Sequence, residues 1–539
     1  MNQKTYNRRS FIKTGATGLV TIALFRNSKG EMVEFVEGDP FPELVEVTIG
    51  ELQAQMKSGR LTAVRLTEMY LERIKQVDTK TKSVLELNPD ALAIAGQLDK
   101  ERKKGRVRSM LHGIPVLIKD NIDTADKMHT TAGSLALIDA PTPKQDAFVA
   151  ARLRKAGAVI LGKTNLSEWA NFRSASSISG WSARGGQTNN PYFLSENPSG
   201  SSSGSGVAVS ANLTAVAIGT ETVGSILSPA LANGVVGIKP TVGLVSRTGI
   251  IPISHSQDTA GPMTRTVADA AAVLSAIAGM DKSDPATVEA DRKKAKDYTK
   301  FLDRDGLKGA RLGLVTSPPQ RSVDAWKAYW EPFFDKFRQA GATLVELKYP
   351  DLGQGFRPDR NTLMQTEFKA NLNKYLAGRG AQYKTLEELI KFNEENKDKE
   401  LPKFGQEIFT QSQARGDLSD KNYLEAVARL HKLMRADGID AMLEQNKLDA
   451  LVGPFGQGVS MAAIAGYPSI VVPLGLRDVP GEVASGDQTA VPPSTQPTSM
   501  LFFGTAWTEP KLIKYAYAFE QLTKGRRVPQ FLPKDPRKA

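Results

Sequence analysis

Ser199-Gly-Ser-Ser-Ser-Gly-Ser-Gly206 runs into Val207-Ala-Val-Ser-Ala-Asn-Leu213, and Ala215-Val-Ala-Ile218 then leads into Gly219-Thr-Glu-Thr-Val-Gly-Ser225. An octapeptide of glycine and serine buries no core, and flexible linkers share its composition. The apolar runs that follow, with Val235-Val-Gly-Ile-Lys-Pro240 beyond them, decide against a tether. A glycine/serine loop packed between buried elements reads instead as a site. Glycine reaches backbone angles closed to other residues, so N–H groups and hydroxyls can crowd round one reacting atom.

Working outward, the chain from His112 to Met280 alternates apolar strands with turns and short helices. Ile114-Pro-Val-Leu-Ile-Lys119 reads as a buried strand ending in a lysine, Ala147 to Ala156 as a helix, and Ala158-Val-Ile-Leu161 as the next strand. Such alternation predicts an α/β fold whose mixed central sheet carries helices on both faces. Upstream, Thr48-Ile-Gly-Glu51 fits a capping box, and a helix from about Thr62 places Leu66, Met69, Tyr70, Ile74 and Val77 at helical spacing. Residues 283–448 are helix-rich and charged, with strand-like runs at Ala310–Val315 and Thr343–Leu347. Strands return at Asp449–Val452 and Ser469–Pro473. Gly475–Ser499, rich in Pro, Ser and Thr, reads as a long loop, and a last helix is expected from about Pro510 to Lys524. The expected organisation is one large domain over 40–539, with a core at 45–282 and 449–539 and a more variable helical region at 283–448.

Composition closes several routes. The 539 residues include no cysteine, which excludes disulfides, thiolate metal sites and a cysteine nucleophile. The four histidines, His112, His129, His255 and His431, stand apart from one another, and no metal or other cofactor is expected. Six uncompensated basic residues in the first 29 account for half of the formal charge of +12. Elsewhere Lys and Arg interleave with Asp and Glu, as on solvated helix faces, so no nucleic-acid partner is expected. Asn7-Arg-Arg-Ser-Phe-Ile-Lys13 followed by an uncharged stretch to Phe25 fits a twin-arginine export leader over residues 1–30, with a periplasmic or secreted destination. That stretch is too short to cross a membrane, which takes about 20 apolar residues, and without cysteine there is no lipid anchor.

Two familiar strings fail on mechanism. Gly157-Ala-Val-Ile-Leu-Gly-Lys-Thr164 matches a phosphate loop, yet its variable positions form a buried strand whose N–H groups a sheet would occupy. Gly200-Ser-Ser-Ser-Gly204 matches a nucleophile elbow around Ser202, but Pro191 and Pro198 break the strand an elbow needs. The bases it would call on, His255 and His431, sit in a polar loop and a charged helix and read as surface residues.

Lys119 offers a base without histidine. A snorkelling lysine is the bland alternative. If buried, Lys119 loses the hydration that favours its ammonium, and its pKa falls. Holding an ordinary lysine of pKa about 10.4 neutral at pH 7 costs about 4.6 kcal/mol, so desolvation has much to supply. Strand alternation turns the adjacent Asp120 to the other face. A neutral Lys119 would deprotonate Ser201, which would deprotonate Ser225, and the turn Thr222-Val-Gly-Ser225 would aim backbone N–H groups at one point, as an oxyanion hole does.

These residues resemble the amidase signature family. The glycine/serine run, Gly219-Thr-Glu-Thr-Val-Gly-Ser-Ile226 and Gly237-Ile-Lys-Pro-Thr241 carry the likeness. It extends over Gly113-Ile-Pro-Val-Leu-Ile-Lys-Asp-Asn121, Gly162-Lys-Thr-Asn165 and Asp258-Thr-Ala-Gly-Pro262, and so over most of the chain from about residue 45. The resemblance implies Lys119 as base, Ser201 as relay in a cis peptide and Ser225 as nucleophile. It also implies an oxyanion hole on the backbone of Thr222, Val223, Gly224 and Ser225, and substrate binding by Trp169, Asn171 and Ser202. Glu168-Trp-Ala-Asn-Phe172, Ser179-Gly-Trp-Ser-Ala-Arg-Gly-Gly186 and Gly504-Thr-Ala-Trp-Thr-Glu-Pro-Lys511 are most similar to the bacterial peptide amidases, which convert the C-terminal amide of peptides to acid and ammonia. The chain departs from the family at Val223, where glycine is common, and at Leu227, where arginine is common; a valine there would narrow the pocket.

The expectation is therefore an exported, monomeric serine amidase acting on small-molecule or peptide amides, with a groove lined in part by 283–447 and 454–465. Other small, aryl or fatty amides are alternative substrates. A glutamine-dependent transamidation subunit and a non-catalytic binder on the same scaffold are alternative functions.

Overall fold

The computed structural model describes residues 22–26, 32–36, 41–317, 323–456, 458–479 and 494–535. Strands β1 (Ile22–Arg26) and β2 (Met32–Val36) pair with each other. Then come β3 (Val84–Leu87), β4 (Pro115–Lys119), β5 (Val159–Thr164), the short pair β6 (Trp181–Ser182) and β7 (Gly186–Gln187), β8 (Val216–Glu221), β9 (Val236–Lys239) and β10 (Thr259–Thr264). The later strands are β11 (Arg311–Thr316), β12 (Thr343–Lys348), β13 (Ala450–Pro454), β14 (Ser469–Val479) and β15 (Ser494–Phe503). Eleven of them form one mixed sheet in the order β12-β11-β13-β15-β14-β9-β10-β8-β4-β5-β3. β4 runs parallel to both β5 and β8, whereas β8, β10, β9, β14, β15 and β13 pair antiparallel in turn.

Every residue of β4, β5, β8, β9, β10 and β13 is buried, so both faces of the pleat are covered by helices. The helices form where their caps direct. The Thr48 hydroxyl accepts from Glu51 N while the Glu51 carboxylate accepts from Thr48 N, starting Ile49–Lys57; Thr62 accepts from Arg65 N, starting Ala63–Thr81. Leu66, Met69, Tyr70, Ile74 and Val77 lie in the core as their spacing predicts. Within the string at 157–164, Gly157 caps the preceding helix and residues 159–164 form β5, a buried strand. The last helix runs over Glu509–Thr523. Among the described residues no helix is long and apolar enough to cross a membrane.

The long loop expected at 475–499 is corrected at both flanks. Gly475 faces Thr498 and the ladder continues to Val479 opposite Ser494, with a register shift between Pro473 and Gly475. That irregularity takes up Pro473, which cannot donate to a ladder. The Pro/Ser/Thr composition hid β15 and the continuation of β14 beyond Pro473, and residues 480–493 lie outside the described ones.

Candidate active site

Lys119 closes β4 and is fully buried. Its Nζ donates to Ser201 Oγ at 2.7 Å, to Thr220 Oγ1 at 2.9 Å and to the Thr220 carbonyl at 3.3 Å. None of these partners is a carboxylate. Burial pulls the lysine down to about 7, against the milder opposing pull of Asp258 and Glu221. β4 and β8 are neighbouring parallel strands, which sets Lys119 beside Thr220. Asn121 Nδ2 also donates to Thr220 Oγ1, at 3.0 Å, and fixes that hydroxyl from the other side.

The glycine/serine run enters the helix Ser203–Ser210, and the Gly200–Ser201 peptide is cis. Gly200 has no room for a side chain: a Cβ would run into Ser167 Oγ. Ser201 and the half-buried Ser225 line one cavity, and Ser202 N donates to Ser225 O at 3.0 Å. The turn bearing Ser225 is braced from behind, because Glu221 Oε2 accepts from Ile226 N at 2.7 Å and Leu227 N at 3.0 Å. Gly224 has φ +79°, and a Cβ there would meet Ser228 Oγ at 2.8 Å. Thr222 donates its hydroxyl to Asp258 at 2.6 Å. Asp258 also accepts from Ile253 N and Ser254 N, and burial raises it to about 6.

The structure thus brings Lys119, Ser201, Thr222 and Ser225 together, and it adds Thr220, Asn121 and Asp258. Thr220 and Asp258 stood inside the motifs Gly219–Ile226 and Asp258–Pro262 without an assigned role. Trp169, Asn171 and Ser202 do not line the cavity that Ser201 and Ser225 share. Trp169 packs edge-on against Phe409 with ring centres 5.7 Å apart, Asn171 donates to Ser179 Oγ, and the Ser202 hydroxyl is spent on Thr220 O at 3.0 Å. It is Ala170, between the first two, that reaches the cavity. Among the described residues the wall comes from Ile250–Ile253, and neither Val223 nor 283–447 and 454–465 contributes to it. The cavity measures ≈ 30 Å³, room for one or two waters. Of the two histidines read as surface residues, His255 is 43% exposed but His431 is half-buried, and burial lowers it to about 4.

The family model described as Amidase matches residues 65–513. An Arabidopsis thaliana protein carrying the name amidase is 43% identical over 90% of this chain and 92% of its own. A Schizosaccharomyces pombe protein, also named an amidase, is 37% identical over 90% of this chain and 87% of its own. Among solved structures, the native peptide amidase of Stenotrophomonas maltophilia superposes with a TM-score of 0.84 at 50% identity, covering 91% of this chain and 100% of that one. These relatives also correct the expected localisation. Those at 37–43% identity come from a plant and two fungi, cells without a bacterial periplasm, so the twin-arginine and periplasmic reading is withdrawn. Residues 1–21 and 27–31 lie outside the described ones, and the end of the uncharged stretch forms β1, paired Ile22 to Val36 through Arg26 to Met32.

Proposed function

Because this chain belongs to the amidase family and is an amide hydrolase, we propose that it acts through Ser225 on primary carboxamides, above all the C-terminal amide of peptides. One observation carries the reading: a buried lysine held near neutrality and bonded to Ser201, in a cavity that Ser201 shares with Ser225. Neutral Lys119 accepts the Ser201 proton while Ser201 accepts that of Ser225, and Ser225 Oγ forms a bond to the amide carbon. The oxygen of that carbonyl takes the negative charge, which the backbone N–H groups of residues 222–225 stabilise. As the intermediate collapses, the C–N bond breaks and the proton returns through Ser201 to the nitrogen, which leaves as ammonia. Water then attacks the acyl-enzyme by the same relay in reverse and frees the acid and Ser225.

The choice of peptide amides is supported by the 50% identity to a peptide amidase across nearly the whole of both chains. Incubation with C-terminally amidated dipeptides, coupled to an ammonia assay, tests it. Release by the wild type and none by Ser225→Ala is expected. No turnover of any amidated peptide by folded protein overturns the substrate reading.

A further inference from the structure

The long helix Phe356–Arg379 belongs to the helical region, away from the relay residues in sequence, and four of its side chains recur at every fourth position: Glu367, Asn371, Tyr375 and Arg379. Residues so spaced form one row along a helix. Each member of this row meets the wall of the catalytic cavity or its support. The buried Glu367 carboxylate accepts from Ser254 Oγ at 2.6 Å, from Ser256 N at 3.1 Å and from the Ser256 hydroxyl, and lies 3.4 Å from His255 Nε2. It also accepts from Tyr423 OH at 2.9 Å. Asn371 meets His255 Nδ1 at 3.1 Å. One turn further on, Tyr375 OH donates to Asp123 at 2.9 Å, and a turn beyond that Arg379 pairs with the same carboxylate at 3.7 Å.

The two segments gripped in this way are themselves joined. Ile251 N donates to Asn121 O at 2.9 Å, Asp123 N donates to Gly249 O at 2.8 Å, and Ile122 bridges to Ile250. Together they run from just beyond Lys119, through the apolar wall Ile250–Ile253, to the turn closed by Asp258. Ile250–Ile253 bound the cavity beside Ser225 on its apolar side, so the position of that wall limits what fits next to the scissile carbonyl. Ser201, Thr220 and Ser225 stand on the sheet side. The wall Ile250–Ile253 is the apolar one, and the row holds it.

We propose that Glu367, Asn371, Tyr375 and Arg379 are positioning residues that set how far this wall yields, and so decide the size of the apolar acyl group accepted beside the scissile carbonyl. This deepens the proposed function and rests on it. Glu367→Gln keeps the side-chain volume while weakening the bonds to Ser254 and Ser256; Tyr375→Phe removes one hydroxyl. Two readouts test the row. The ratio of kcat/KM for an amidated peptide ending in Phe-NH2 to one ending in Ala-NH2 is expected to rise at least fivefold in each variant, while labelling of Ser225 by a small fluorophosphonate keeps the wild-type rate. Hydrogen exchange at the amides of Ile251 and of 253–256 is expected to quicken, a readout that needs no turnover. Uniform loss on both substrates, or an unchanged ratio with unchanged exchange, overturns the proposal. Should Glu367→Gln fail to fold, Tyr375→Phe decides alone. A wild type that labels but turns over no peptide amide defeats the substrate reading, and exchange then still judges the row.

Discussion

Lys119 and Lys163 stand on neighbouring parallel strands, Ile118 opposite Lys163 and Lys119 opposite Thr164, so they point to opposite faces of the same sheet. Both are fully buried. Lys119 bonds two hydroxyls and a carbonyl. Lys163 donates to Ile122 O at 2.5 Å and Thr130 Oγ1 at 2.8 Å, with Asp120, Asp123, Asp126 and Glu86 around it. Burial lowers both, but four carboxylates counter it at Lys163 and only Asp258 and Glu221 at Lys119. Behind Lys163 the charges close on themselves: Arg184 pairs with Asp120 at 3.2 Å and with Glu86. Depth alone does not make a base. The absence of an adjacent carboxylate does, and the same feature that frees Lys119 for proton transfer makes it a burden on the fold.

Replacing each lysine by methionine turns this contrast into opposite outcomes, and the largest effect is expected at Lys119. Lys119→Met should lower amide turnover by about 10⁴-fold or more. Its folded pKa of about 7 lies below the ordinary 10.5. The unfolded chain therefore binds the extra proton between those values, stability rises with pH across that window, and the full cost stands below pH 7. That cost is about 5 kcal/mol, and orphaning Ser201 and Thr220 returns about 2 of it. Methionine should thus raise the melting temperature at pH 7, and a lower one would break the comparison.

Lys163→Met should do the reverse, destabilising the fold by about 3–5 kcal/mol because Asp120 and its neighbours lose a buried cation. Denaturant unfolding measures this, while Ser225 labelling of the folded fraction should stay at the wild-type rate. A pH profile sharpens the assignment. kcat/KM should rise about tenfold per pH unit up to a midpoint near 7 and then level, as a base that must be unprotonated requires, and Tyr375→Phe should leave that midpoint in place. The smallest effect belongs to Thr220→Val, which removes one acceptor of Lys119. About 5- to 20-fold off kcat is expected with KM nearly unchanged.

The legibility of the site in the sequence follows the same division. A charge at the end of Ile114–Lys119 is anomalous within its own strand, so Lys119 could be found locally. Ser201 and Ser225 were found by the glycines that make room around them. Lys163 lay two residues past the strand read at Ala158–Leu161, and its role was not legible, because Thr130 and Asp123 reach it from a different segment. Trp169 and Asn171 flank the residue that reaches the cavity, since Trp169 and Ala170 both adopt positive φ and the segment turns back on itself. Glu367 and its row looked like any charged helix; only the four-residue spacing marked them, and spacing alone does not say what a row faces. The α/β alternation gave the mixed sheet, whereas the β14–β15 hairpin lay under proline-rich composition.

The seam between β9 and β14 has a consequence for synthesis. Lys239 pairs with Ser469, about 230 residues later in the chain. At about 5–20 residues per second, an emerging chain holds Lys119, Ser201 and Ser225 for roughly 10–50 s before that partner strand leaves the ribosome. Throughout that interval β9 presents an open edge, the kind of surface on which nascent chains join one another. Chaperone demand should therefore fall in this window of translation, and a chain ended before residue 469 should accumulate as aggregate even though it already carries every residue of the relay.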